Sequence, residues 1–373
     1  MKTILLTDCC ELIMGQSPNS SSYNTEKQGL PFYQGNADFG KINPITRCWC
    51  DKPIKIARKD DILISVRAPI GAINIANEEC CIGRGLAAIR ALKEKCLCEF
   101  LYYALQSKTE KLKSQGTGST FKAISKQVLA DTELPYITLE EQYKIVNTLL
   151  KIDELIENAD KQIILLDQLV KSRFIEMFGD PVTNPKGWKK VRLADKCSIV
   201  TGNTPLRSNK EFYGYYIEWI KSDNITNLTY LTKAVEFLSE KGLSVGRKVD
   251  SGSILMTCIA GSLKSIGNVA IANRPVAFNQ QINAIIPNSQ NALFMYEQFK
   301  LSKKYIISDV NMALKGILSK GNLSEKLFIF PPLDLQNQFA DFVEKVNKSK
   351  LEVQKSLEEL ETLKKSLMQQ YFG

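Results

Sequence analysis

The feature that most limits how this chain can fold is a duplicated heptad seam. Ile145, Leu149, Ile152, Ile156, Ala159, Ile163, Leu166 and Val170 follow alternating steps of four and three, the spacing of a coiled-coil stripe. The same positions return 194 residues later as Phe339, Val343, Val346, Lys350, Val353, Leu357, Leu360 and Lys364, and the run continues to Leu367 and Tyr371. A single seam cannot bury itself, so the economical arrangement packs the two helices against each other. Two unrelated amphipathic helices, each docked on its own globular half, would be the plainer alternative. At about 1.5 Å per residue each helix spans roughly 55 to 60 Å. Lys350 and Lys364 interrupt the second seam. Their methylene stems are expected to cover apolar surface while the ammonium groups reach water.

The 373 residues suffice for two cored domains beside this rod. The formal charge is +9, and it is unevenly spread. Residues 139–179 hold eight acids and five bases, and residues 334–373 seven acids and six bases, so the positive charge sits in the globular parts. Basic modules suggest a polyanionic partner. No apolar run reaches the about 18 residues that a membrane span needs, and the Ile4–Leu6 run stops at Asp8, too early for a signal peptide. A cytoplasmic location without membrane attachment is the expectation. Eight of the ten cysteines lie in the first half: Cys9, Cys10, Cys48, Cys50, Cys80, Cys81, Cys96 and Cys98. They read as reduced thiols. No metal site is expected, because no Cys-x-x-Cys pair and no histidine completes a familiar zinc set.

The globular halves repeat as well. Leu6–Pro18 and Leu193–Pro205 share Leu, Asp, Cys, Gly and Pro in register, 187 residues apart, and each closes on Gly-x-(Ser/Thr)-Pro. Such an end reads as a fixed turn, or as one that offers backbone amides to phosphate. Buried strands are predicted at Asp61–Gly71 and Ser253–Gly261, with others at 72–76, 86–90, 268–272 and 282–286. Helices are predicted at 99–114 and 292–309. Polar, basic loops follow at 116–126 and 311–320, with glycines, hydroxyls and lysines suited to phosphate contact. Leu134-Pro135 and Phe330-Pro331-Pro332 stop each domain before its long helix. Gly179, Pro181 and Pro185 stop the central helix and form a short linker.

This layout resembles the DNA specificity subunit of type I restriction-modification systems. The resemblance rests on the two domain openings, Trp219-Ile220-Lys221-Ser222-Asp223-Asn224-Ile225, the Leu-Pro/Gln helix entries, and Met177-Phe178-Gly179-Asp180-Pro181, and it covers essentially the whole chain. It implies an α+β fold in which two target recognition domains, each a mixed sheet with helices, are separated by two long helices. The helices pair as an antiparallel coiled coil, giving a pseudo-twofold internal repeat. The expected divisions are residues 1–138 and 188–333 for the domains, 139–179 for the central helix, 180–187 for the linker and 334–373 for the C-terminal helix. The implied partners are double-stranded DNA, two methyltransferase subunits using S-adenosylmethionine, and motor-nuclease restriction subunits using ATP and magnesium. No cofactor is expected in this chain. In the first half, Phe32-Tyr33-Gln34-Gly35 departs from the Trp-Ile-Lys-Ser form, so base contacts do not carry across there.

The residues themselves also argue against catalysis. Without histidine, serine-histidine chemistry is excluded, and no Gly-x-x-x-x-Gly-Lys-(Ser/Thr) loop is present to cradle a nucleoside triphosphate. Two similar domains at the ends of a rod match a target of two half-sites, and differing contact residues make that target asymmetric. The candidate contacts are Gln34, Arg67, Arg84, Lys122 and Lys126 in the first domain. In the second they are Lys221, Asn224, Lys264, Gln280, Gln281, Lys315 and Lys320. Arginine forks suit guanine, and Gln or Asn suits adenine. The rival readings are a coiled-coil scaffold with protein-binding ends and a stand-alone methyltransferase or nuclease.

Overall fold

The structure, a computed structural model, describes residues 2–118, 122–310 and 316–373. The chain divides into two compact units, Met1–Asp160 with Lys355–Gly373, and Lys161–Gln354. The division falls inside both long helices, which run Leu139–Phe178 and Leu333–Phe372. Each unit therefore contains a mixed α+β domain and a portion of both helices.

In the first unit a four-stranded antiparallel sheet is ordered Cys10–Met14, Leu86–Ala91, Ile62–Ser65, Ile73–Ile75. Its central strands are buried on both faces, which explains their near-continuous apolar run. Strand geometry sends alternate residues to opposite sides. Ile62, Ile64, Ala87 and Ile89 face a core with Phe100, Leu101 and Ile145. Leu63, Leu86 and Ala88 face Tyr33 and Ile82 of a second, five-stranded sheet. That sheet is mixed, with Phe32 opposite Cys81 in a parallel pair. A short pair, Thr3–Leu5 with Glu133–Pro135, ties the start of the domain to its end.

The second unit repeats the plan. Cys197–Thr201, Ile282–Pro287, Ile254–Thr257 and Val269–Ile271 form the antiparallel sheet. Ala284 lies opposite Val200 and Leu255, as Ala88 lies opposite Ile13 and Leu63 in the first unit. Ile254, Met256 and Ile285 face Phe294 and Phe339, whereas Leu255 and Ala284 face Ile220 and Phe278. Trp219 stands opposite Ala277 in the parallel pair of the second sheet, and Lys190–Arg192 pairs with Leu327–Ile329.

The predicted helices at 99–114 and 292–309 are each broken once. They run Cys98–Ser107 and Thr109–Ser114, and Ala292–Leu301 and Lys303–Ile306. Buried glutamines fasten each long helix to its domain. Gln142 accepts from the Leu97 amide and donates to the carbonyls of Lys95 and Ile137. Its counterpart Gln336 accepts from the Asn291 amide and donates to the Pro331 carbonyl.

Within each unit the long helices run antiparallel. In the first, Ile145 shares a core with Phe372, and further along Asp153 meets Lys364 at 2.5 Å. In the second, Phe178 packs on Phe339 with ring centroids 5.6 Å apart, while Asp167 takes Lys350 Nζ at 2.7 and 2.8 Å. The two seam lysines thus depart from expectation: their ammonium groups end on aspartates of the partner helix, not in open water. Desolvation is offset where a charged group finds an opposite charge in hydrogen-bond contact. Gly179 takes a positive φ of 78° at the close of the central helix, the left-handed cap that glycine accepts without strain. Asp180 Oδ1 then accepts from the amides of Val182 and Thr183 to shape the linker.

Candidate nucleic-acid interface

The Gly-x-(Ser/Thr)-Pro turns are fixed, and the first two amides of each are spent on backbone carbonyls. Gly15 and Gln16 donate to the carbonyls of Leu86 and Ile82, and Gly202 and Asn203 to those of Ile282 and Phe278. A Cβ on Gly15 would collide with the Gly83 carbonyl, and one on Gly202 with the corresponding Asn279 carbonyl. Glycine is needed at both places because the two backbones touch. This contact sets the hydroxyl two residues on, Ser17 or Thr204, against the turn that leads into the central strand.

In the first unit Ser17 Oγ accepts from the Arg84 amide at 3.2 Å and lies 3.0 Å from Gln34 Nε2. Gln34 follows the strand Leu30–Tyr33, and Arg84 sits between the strands Cys80–Ile82 and Leu86–Ala91. Ser17, Tyr23, Phe32, Gln34, Asp38 and Arg84 line one cavity of about 400 Å³. Asp38 is committed to backbone, its Oδ2 accepting from the Gln34 amide at 2.7 Å. The Arg84 side chain is exposed, with no hydrogen bond or ion pair among the described residues. Arg67 and Lys122 fall in a second group: Arg67 bridges Ala123, and the Lys122 carbonyl accepts from the Ala68 amide. Lys126 opens the short helix Lys126–Ala130, which Ser125 caps.

In the second unit Thr204 Oγ1 donates to Gln280 Oε1, and Gln280 is exposed. Lys221 follows the strand Tyr213–Ile220, and its Nζ is bound to Glu236 and lies 5.3 Å above the Trp219 ring. Arg207 bonds the other Glu236 oxygen at 2.6 Å and stacks over Trp219 and Tyr213 at 4.7 and 5.0 Å. Lys221 and then Arg207 hold the Glu236 carboxyl below the ordinary glutamate range. Asn224 spends its side chain on the Lys221 amide and the Lys233 carbonyl. Gln281 Oε1 accepts from Asn279 Nδ2 at 3.0 Å. Lys264 is exposed on a separate loop, and Lys320 opens the helix Lys320–Glu325 behind the Ser319 cap. Lys315 lies outside the described residues, as do residues 119–121 of the first basic loop.

The structure therefore gathers Gln34 with Arg84, and Arg67 with Lys122. It brings Lys221 and Gln280 to positions matching Gln34 and Arg84. Sequence reasoning missed Ser17, Thr204, Arg207 and Glu236. The repeat could have found the hydroxyls, since Ser17 precedes Thr204, and Gln34 precedes Lys221, by the same 187 residues. Nothing in the sequence joined Arg207 to Glu236. Among the described residues no group of three or more His, Cys, Asp or Glu is arranged to hold a metal ion, and no helix is long and apolar enough to cross a membrane.

Two copies of one mixed-sheet domain, each built against paired helices and each displaying a polar surface turn, define a duplicated two-domain protein of the α+β class. The chain belongs to the type I restriction modification DNA specificity domain family, whose pattern matches residues 1–166 and 185–362. It is 49% identical over 152 residues to the MjaX type I restriction enzyme specificity subunit of Methanocaldococcus jannaschii, covering 41% of this chain and 36% of that protein. The match to the MjaIX specificity subunit of the same organism is 26% over 337 residues, covering 84% and 77%. The crystal structure of the S subunit from M. genitalium has a TM-score of 0.60 at 18% identity over 100% of this chain and 96% of that one. A chain from a study of complex assembly and conformational transition of the type I system gives 0.62 at 19%, over 100% and 97%. At these identities the structures speak for the fold.

Proposed function

We propose that this chain is the non-catalytic DNA recognition subunit of a type I restriction-modification enzyme, reading an asymmetric target of two half-sites, one per domain. It would direct two methyltransferase subunits, and restriction subunits where they assemble, to that target. S-adenosylmethionine, ATP and magnesium would belong to those partners. One observation carries the reading: within a family named for DNA specificity, this chain holds two domains of one register whose corresponding surface residues differ. Like folds offer like surfaces to DNA, and unlike side chains select unlike bases.

The test exchanges residues 188–333 for the equivalent domain of a relative and maps methylated positions across the genome with the partner subunits present. One half-site should change and the other stay. If both change together, independent readout by two domains is wrong. Methylation or cleavage by the rigorously partner-free chain would overturn the non-catalytic assignment.

A further inference from the structure

The paired hydroxyl sites permit an assignment finer than one half-site per domain, and it rests on that reading. Both sites are assembled from the same three pieces: the turn after the first sheet strand, the end of the parallel strand, and the turn entering the central strand. The first carries Ser17, Gln34 and Arg84, and the second Thr204, Lys221 and Gln280. The glycine contacts at Gly15 and Gly202 pin these turns to each other, so the exposed side chains start from a fixed backbone.

We propose that Arg84 and Gln280 are corresponding base-reading residues, Arg84 selecting guanine in one half-site and Gln280 selecting adenine in the other.

Three features support base reading over phosphate contact. Position comes first: each residue begins two places before its central strand, on a turn held by the Ser17 or Thr204 hydroxyl. Next is charge. Gln280 itself carries no charge, and Glu236 ties Lys221 and Arg207 into ion pairs beside it, offsetting one of their two charges, while Asp38 lines the same cavity as Arg84 without pairing with it. Phosphate binding is favoured by uncompensated positive charge, whereas a base edge is matched by directed donors and acceptors. The third is free donor capacity. The guanidinium of Arg84 is uncommitted among the described residues, and it presents the fork that fits guanine O6 and N7. Gln280 is held through its Oε1 by the Thr204 hydroxyl, and the residue is exposed. The amide oxygen has a second lone pair, so Oε1 can accept from adenine N6 while Nε2 donates to N7 with the Thr204 bond kept.

The test uses the full chain assembled with its methyltransferase partners and S-adenosylmethionine on a randomised target library, with wild type, Arg84→Gln, Arg84→Ala and Gln280→Arg. Arg84→Gln should weaken the guanine preference at one position of one half-site by at least about fivefold, the lower end for a bidentate pair, and move it toward adenine. Arg84→Ala should leave that position without preference. Gln280→Arg should shift one position of the other half-site from adenine toward guanine. An unchanged motif with uniformly weaker binding and a shallower salt dependence would make Arg84 a phosphate contact and overturn the assignment. A shift in the wrong half-site would overturn it too. Failure of wild type itself to yield a two-part motif would instead remove the reading beneath, together with this assignment, so the two failures look different.

Discussion

The two units share a backbone plan and differ in how they hold charge. In the first, Arg90 grips buried Asp61 through two bonds of 2.9 and 2.8 Å and reaches Glu11 at 2.9 Å. In the second, the comparable clamp lies elsewhere: Arg274, in the bend before the strand Val276–Phe278, takes both oxygens of Glu218 on the strand Tyr213–Ile220 at 2.6 and 2.7 Å. The sheet register is the same in both, yet Ser253 and Ile286 stand where the first unit has Asp61 and Arg90. The apolar register thus fixes the domain, and polar clamps can be relocated once it is set. The same freedom extends to the surface, where an open Arg84 in one unit contrasts with an ion-paired Lys221 in the other.

The harshest way to break the likeness is to empty one core. Phe339 is fully buried among Phe174, Phe178 and Phe294, and Phe339→Ala should cost the second unit about 3 to 5 kcal/mol. Phe372→Ala should strike the first unit instead, through its contact with Phe100. Hydrogen exchange resolved by residue checks whether each loss stays within its own unit.

A milder test separates the clamps. Glu218 is held below the usual glutamate range, first by its bonds to Arg274. Its contribution is complete above the unfolded-state value of about 4.3 and disappears as pH falls through the lower folded-state value. Glu218→Gln should cost the second unit about 2 kcal/mol near neutral pH and remove that part of its acid-side decline. Exchange in the first unit, followed over the same pH range, should not change.

The smallest expected difference lies in the seam lysines. Asp167 is largely exposed, so Lys350→Met should change stability by less than about 1 kcal/mol. Lys364 shares Asp153 with the Tyr103 hydroxyl, which donates to it at 2.7 Å. Lys364→Met should therefore cost more than Lys350→Met, as paired denaturant titrations would reveal. Equal effects would mean that the tyrosine adds nothing.

Much of this arrangement was legible in the sequence because it rests on periodicity. The seam located both helices, and the apolar runs around Ile64 and Leu255 located the central strands. What escaped notice depends on contacts between residues far apart. Lys350 and Lys364 looked like solvated exceptions because their aspartates lie on the other helix. The helix breaks near Lys108 and Ser302 carry no glycine or proline to announce them. In the candidate interface, residue type marked Arg84, Lys221 and Gln280, but the hydroxyls that organise them resembled ordinary turn residues, and Glu236 had no local signature at all.

The division of the chain bears on the order in which the molecule can be made. The second unit is one continuous segment, Lys161–Gln354, whereas the first is interrupted and needs Lys355–Gly373 to finish its core. Loop-closure entropy grows only by about 0.6 kcal/mol for each doubling of length, so the long interruption is thermodynamically cheap. Its effect is on timing. As the polypeptide leaves the ribosome, the second unit has its whole complement before the first has received Phe372. Until Phe372 has been made, the first unit lacks the ring that packs on Phe100 in its core.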